Sequence, residues 1–237
     1  MHVNGNRFVL AEVDGPIDSF SPTMGIAAVR RLGFDQFLFF NQRAKPGDYH
    51  YRIFNRDGSE SQQCGNGALC VGRYVSSRLG CQSVTLHTRS HTIQVESYFG
   101  HSTAHLGVAQ LMSDERHPFQ GYRLAIYHIG NRHVVVPVSD VEAIDLQAIY
   151  LALSRRIAWP FNLEVYALSQ GRVTVRIYEN GVGETQACGS GLCCVAADIF
   201  NQHKTIQKIA LTTRGGCSVV EQSNGGGLSL TALPERI

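Results

Sequence analysis

Two short segments hold the residues best suited to chemistry: Cys64-Gly65-Asn66-Gly67 and Cys188-Gly189-Ser190-Gly191. They are copies of one another. Residues 51–70, YRIFNRDGSESQQCGNGALC, lie on residues 175–194, VRIYENGVGETQACGSGLCC, without a gap and at a constant offset of 124. Arg52/Arg176, Ile53/Ile177, Glu60/Glu184, Gln62/Gln186 and Cys70/Cys194 match along with the cysteine motifs. If the halves face each other, two thiols approach one carbon from opposite sides. That arrangement suits racemisation by two bases: one thiolate removes a proton from a stereogenic carbon while one thiol delivers a proton to the other face.

The surrounding pattern says how such cysteines are positioned. Gly5-Asn6-Arg7 and Gly130-Asn131-Arg132 form a second echo, at an offset of 125, each followed by a strand-like run, Phe8 to Val13 and His133 to Val138. Each half then continues with a helical stretch (Ser21 to Leu32; Leu146 to Ile157) and an apolar strand (Phe37 to Phe40; Leu163 to Leu168). An alternating strand (Tyr51 to Phe54; Val173 to Tyr178) leads into the glycine-rich turn. Beyond the turn, Ala68 to Arg78 and Leu192 to Phe200 have the composition of a buried helix. Cys64 and Cys188 therefore fall where a helix begins. There, unpaired N–H groups and the positive end of the helix dipole favour a thiolate and bind a carboxylate. Asn66 and Ser190 add N–H donors at the same place. Cys70 and Cys194, six residues on, lie about 240° round the helix and read as packing. The two halves are expected at 1–115 and 116–237, with the joint near the polar stretch Ser113 to His117.

Composition narrows the alternatives. The chain has 237 residues, 43% apolar and 17% charged, with 24 Gly and 7 Pro, which is the profile of a compact globule. The formal charge is +2, and the basic residues are scattered; no nucleic-acid partner is expected. The longest apolar runs are strand-sized, so no membrane span is expected either. The start, MHVNGNRFVL, lacks the pattern of a secretion signal, and the expected location is the cytoplasm. Seven cysteines, an odd number without CxxC spacing, fit a reducing compartment and give no metal site. Cys81, Cys193 and Cys217 read as small buried hydrophobes. The only lysines are Lys45, Lys204 and Lys208, all in polar surroundings. None looks poised to hold pyridoxal phosphate as a Schiff base, and the expectation is a reaction without a cofactor.

On these segments the chain resembles the diaminopimelate epimerase family. The resemblance rests on HVNGNRF at the start, FDQ at 34–36, FNRDGSESQQCGNGALC, IGNRH at 129–133, the Asn of FNLEV, and YENGVGETQACGSG. It implies an α/β (α+β) fold of two pseudo-symmetric halves, each a curved, mostly antiparallel sheet around a central helix, with the site in the cleft between them. It implies isomerase activity in lysine and cell-wall biosynthesis, without pyridoxal phosphate, on a small amino-acid substrate. It makes Cys64 and Cys188 the acid and base pair, with Gly65, Asn66, Gly189 and Ser190 holding the reacting α-carboxylate. Asn6, Gln36, Asn55, Asn131, Asn162 and Glu179 match the other substrate contacts, and His133 and Glu179 the groups that adjust the thiols. Arg52 and Arg176 read as outward strand residues.

The chain also departs from the family pattern. Asn180 stands where the family carries the arginine that pairs with the distal carboxylate of diaminopimelate, and an amide does not replace a bidentate charged partner. Arg56 and Arg132 are candidates to supply that charge. Two alternatives to diaminopimelate epimerisation stay open: racemisation of another amino acid, and a paralogue that binds an amino acid without turning it over. The chain stops at LPERI, and no closing strand is expected there; because the homodimer implied by the family uses that end, the oligomeric state is open as well.

Overall fold

The computed structural model describes residues 1–116 and 121–237. It divides into two compact units, residues 1–105 with 231–237, and residues 106–230. Each unit is a mixed sheet with two helices, and one run of pairings recurs in both: antiparallel, parallel, antiparallel, a short fold-back, parallel, antiparallel.

In the first unit, β1 (His2–Val3), β2 (Asn6–Glu12), β3 (Gln36–Gln42) and β4 (Asp48–Asn55) lie side by side. The successive pairings are antiparallel, parallel and antiparallel. The short β5 (Glu60–Ser61) folds back on β4, and β6 (Ser83–His87) runs parallel to β4. Next come β7 (Thr92–Tyr98) and β8 (His101–Gly107), both antiparallel. Helix α1 (Thr23–Leu32) bridges β2 and β3 on the outside. Helix α2 (Gly65–Leu79) packs against β1, β2, β6 and β7 and buries ten of its fifteen residues, so it is the core around which the sheet curves.

The second unit repeats this arrangement. It begins with β9 (Gln110–Arg116), β10 (Arg123–Ile129) and β11 (Asn131–Pro137), all antiparallel. Then β12 (Asn162–Ser169) runs parallel to β11, β13 (Arg172–Glu179) antiparallel to β12, and β14 (Gly183–Thr185) folds back on β13. A parallel β15 (Lys208–Thr213) and an antiparallel β16 (Gly216–Gln222) follow. Helix α3 (Leu146–Ser154) covers β13 and β14. Helix α4 (Gly189–Gln202) is the buried centre, with twelve of its fourteen residues inside. Gly5 and Gly130, the glycines of the second echo, both have left-handed backbone (φ 80° and 75°), the turn that admits the strand behind each.

Several expectations need correction. The stretch Ser113 to His117 is strand as far as Arg116, paired to β10; His117 lies outside the described residues. Asp114 and Glu115, neighbours on opposite faces of this strand, are both exposed, so the stretch shows no apolar alternation and also reads as a loop. The chain does form a late strand, β17 (Leu228–Ala232), and Glu235 then bridges His2 through two backbone hydrogen bonds. Arg52 and Arg176 do not point freely outward. Each makes a two-pronged ion pair with the glutamate eight residues on, Arg52 with Glu60 (2.8 and 2.8 Å) and Arg176 with Glu184 (2.8 and 3.0 Å). The fold-back strand β5 or β14 brings the carboxylate over the arginine, and this holds the glycine-rich turn against its sheet. Arg176 is buried and also donates to the carbonyls of Val141 and Ile144. Cys193 is buried as expected, Cys81 is half-buried, and Cys217 is exposed because strand alternation turns Ser218 inward instead. Among the described residues no disulfide forms and no helix is long and apolar enough to cross a membrane.

Candidate active site

Cys64 is the N-cap residue of α2, with extended backbone (φ −143°, ψ 108°), and its sulfur accepts from the Gly67 N–H at 3.3 Å. Cys188 occupies the same position on α4 (φ −132°, ψ 114°). The helix starts read from the repeat are thus where each cysteine stands, on the buried axial helix of its unit.

Around Cys64 a hydrogen-bonded line joins three of the expected residues. The thiol lies 3.1 Å from Gln36 Oε1, Gln36 Nε2 donates to Asn55 Oδ1 (2.8 Å), and Asn55 Nδ2 donates to Ser59 Oγ (3.0 Å). Gln36 and Asn55 are cross-strand partners in β3 and β4. Asn66 Nδ2 reaches Asn6 Oδ1 at 3.3 Å, and Asn6 in turn donates to Asp35. Gly65 opens the helix and is buried. The Tyr51 hydroxyl, wholly buried, donates to the Cys64 carbonyl (3.4 Å).

In the second unit, Ser190 Oγ lies 3.4 Å from the Cys188 sulfur, and Gly189 begins α4. Asn162 Oδ1 accepts from the Asn180 N–H (3.0 Å), and the Asn180 side chain accepts from Tyr150 (2.8 Å). Glu179 accepts from Thr185 (2.6 Å). Asn131 opens β11 two residues before His133, hence on the same strand face. Of the arginines considered for a distal carboxylate, Arg132 lies over the Trp159 ring at 4.8 Å, and Arg56 is exposed. All three lysines are exposed. A cavity of about 840 Å³ in the first unit, near Glu12, His50 and Arg89, contains neither cysteine motif.

The Cys188 thiol is pushed well above its ordinary range, first by burial and then by the carboxylates of Glu179 and Glu164. Hydrogen bonds from Ser190 and the Gly191 N–H oppose this. Glu164 is the residue that the sequence reading passed over. It is the one acid within the apolar strand Leu163 to Leu168, completely buried, and 2.8 Å from His133 Nδ1. An isolated acid in an otherwise apolar strand was the available signal.

The second glycine of each motif is explained by the interior. A Cβ on Gly67 would stand 2.6 Å from the Tyr51 hydroxyl and 3.0 Å from Leu38. One on Gly191 would stand 2.3 Å from Glu164 Oε1 and 2.8 Å from its Cδ. Glu164 is anchored by His133 and cannot swing away, so Gly191→Ala is expected to destabilise the protein by about 1–3 kcal/mol. Urea unfolding checks this; a variant as stable as the parent would mean that Glu164 is free to move.

A protein-family model for diaminopimelate epimerase matches residues 1–112 and 125–231, including both cysteine turns. The chain belongs to the diaminopimelate epimerase family. It is therefore an isomerase by family. Relatives named diaminopimelate epimerase are 31% identical in Vesicomyosocius okutanii (98% of this chain, 93% of the relative) and 30% identical in Neisseria meningitidis (100% and 94%). Among solved structures, a Pseudomonas aeruginosa protein described as a predicted epimerase superposes with a TM-score of 0.74 at 19% identity, covering 97% of this chain and 93% of its own. A Bacillus anthracis protein of the phenazine biosynthesis PhzF family gives 0.71 at 13%, covering 94% and 88%. At these identities the two structures establish a common diaminopimelate epimerase-like fold.

Proposed function

We propose that this enzyme inverts the α-carbon of an amino acid by proton transfer between two cysteines, with LL-diaminopimelate as the leading substrate and the meso form as product. The observation that carries the reading is the cysteine at the N-cap of the buried central helix in each unit. One thiolate takes the α-proton. The electron pair left behind delocalises into the α-carboxylate, whose developing charge faces N–H groups at Gly65, Asn66, Gly189 and Ser190. The other thiol gives its proton to the opposite face, and the two sulfurs finish with protonation states exchanged. No cofactor enters this sequence.

The test is incubation with LL-diaminopimelate in D2O. Deuterium at the α-carbon together with meso product is expected; stereochemically pure, unlabelled substrate counts against the reading, and ligand-dependent thermal stabilisation without exchange would indicate a binding paralogue. A second reading, racemisation of another amino acid, is favoured by Asn180, whose amide is held by Tyr150 and carries no charge for a distal carboxylate. A panel of L-amino acids assayed for D-product separates the two, and Asn180→Arg is expected to raise activity on diaminopimelate if that charge is what the site lacks.

A further inference from the structure

The two units share a backbone frame but line it differently beneath the cysteine. In β2 and β3, Phe8 is the register partner of Gln36; in β11 and β12, His133 is the register partner of Asn162. Two residues further along the second strand stand Leu38 in one unit and Glu164 in the other. All four side chains at the differing positions are essentially unexposed. Where the first unit has an aromatic and an aliphatic residue, the second has an imidazole and a carboxylate 2.8 Å apart. Glu164 lies directly under the turn that carries Cys188, so close to Gly191 that no side chain fits there. Among the described residues, Glu164 Oε2 and His133 Nε2 have no hydrogen-bond partner although both are buried. A buried polar pair on such terms costs stability relative to the apolar pair that the same frame accepts in the other unit. Packing alone does not explain it.

We infer that Glu164 is a positioning residue, clamped between His133 and Gly191, whose carboxyl group beneath the Cys188 turn opposes ionisation of that thiol. A second negative charge on the sulfur would stand beside this carboxylate in a poorly screened interior. The other titratable groups acting on Cys188 within its unit are Glu179 at the end of β13 and Cys194 on α4, while His133 on β11 pairs with Glu164. The Arg123, Tyr127 and Asp198 group sits ten residues along α4, about 15 Å away. Lys208 and Glu221 on β15 and β16 pair with each other on the exposed side. At the position of the first unit that matches Glu164 stands Leu38. That this thiol takes part in proton transfer rests on the two-cysteine reaction proposed above; the effect of Glu164 on Cys188 does not.

The experiment is an NMR titration of the whole chain labelled with carbon-13 at cysteine Cβ, without substrate, in the parent and in Glu164→Gln. The Cys188 midpoint is expected to fall by about one pH unit or more, a tenfold gain in thiolate at a given pH, while the Cys64 midpoint stays in place. An unmoved Cys188 midpoint in the folded variant overturns the inference. Should Glu164→Gln fail to fold, the double variant His133→Phe/Glu164→Leu reproduces the pair at Phe8 and Leu38 and is read in the same way. Because D2O exchange is measured separately, a shifted midpoint with no exchange supports this role for Glu164 and rejects the reaction, whereas exchange with an unmoved midpoint does the reverse.

Discussion

Replacing Cys64 or Cys188 by serine is expected to lower kcat/KM for inversion by about 10³-fold or more. In the proposed reaction each cysteine carries a proton, and a hydroxyl holds its proton far too tightly to stand in as either base or activated acid. The accompanying structural loss is small. The 3.3 Å contact of Cys64 with the Gly67 N–H and its 3.1 Å contact with Gln36 are both of a kind that a serine hydroxyl also makes. Cys188 is buried, but its neighbour Ser190 offers a hydroxyl partner. Stability should therefore change by no more than about 1 kcal/mol in either variant. Racemisation assays paired with thermal melts separate the two effects. A serine variant that inverts substrate at the parental rate would show that its thiol carries no proton.

The largest expected loss of stability comes from a residue remote from the chemistry. Asp198, on the inner face of α4, is completely buried. It accepts from Arg123 through both oxygens (2.8 and 2.9 Å), from Tyr127 (3.2 Å), from Tyr166 (2.8 Å) and from Gln202 (2.8 Å). Burial, reinforced by Asp198, pushes both phenols above their ordinary range, so they remain donors. Asp198→Ala leaves a guanidinium, two hydroxyls and an amide facing a void; about 3–5 kcal/mol of unfolding free energy should be lost. Asp198→Asn keeps an acceptor and should lose less. Urea denaturation of the two variants tests the order, and equal stabilities would mean that water satisfies the group.

Much of this architecture is legible in the sequence because it is written twice. Seen once, CGNG is a glycine-rich turn with a cysteine; repeated in register behind matching strands, it locates two helix starts, and the structure puts both cysteines at the N-cap. The strands leading to them were readable from alternation and apolar runs. What escaped depends on partners distant in the chain. Ser113 to Arg116 looks like a loop until β10 supplies its hydrogen bonds. Arg52 looks like a surface residue until β5 folds Glu60 over it. Asp198 sits within a helix of small and apolar residues, and only three-dimensional packing brings Arg123 and Tyr166 to it. Glu164 hides in an apolar strand for the same reason, since its meaning comes from His133 on a different strand.

The imidazole and carboxylate below Cys188 also constrain how such a sequence can drift. Losing either member alone strands its mate inside the protein, while losing both together returns the frame to a filling that its sister half already tolerates. Descendants of this chain should thus keep His133 and Glu164 jointly or discard them jointly, and lineages that carry just one of the two should be rare.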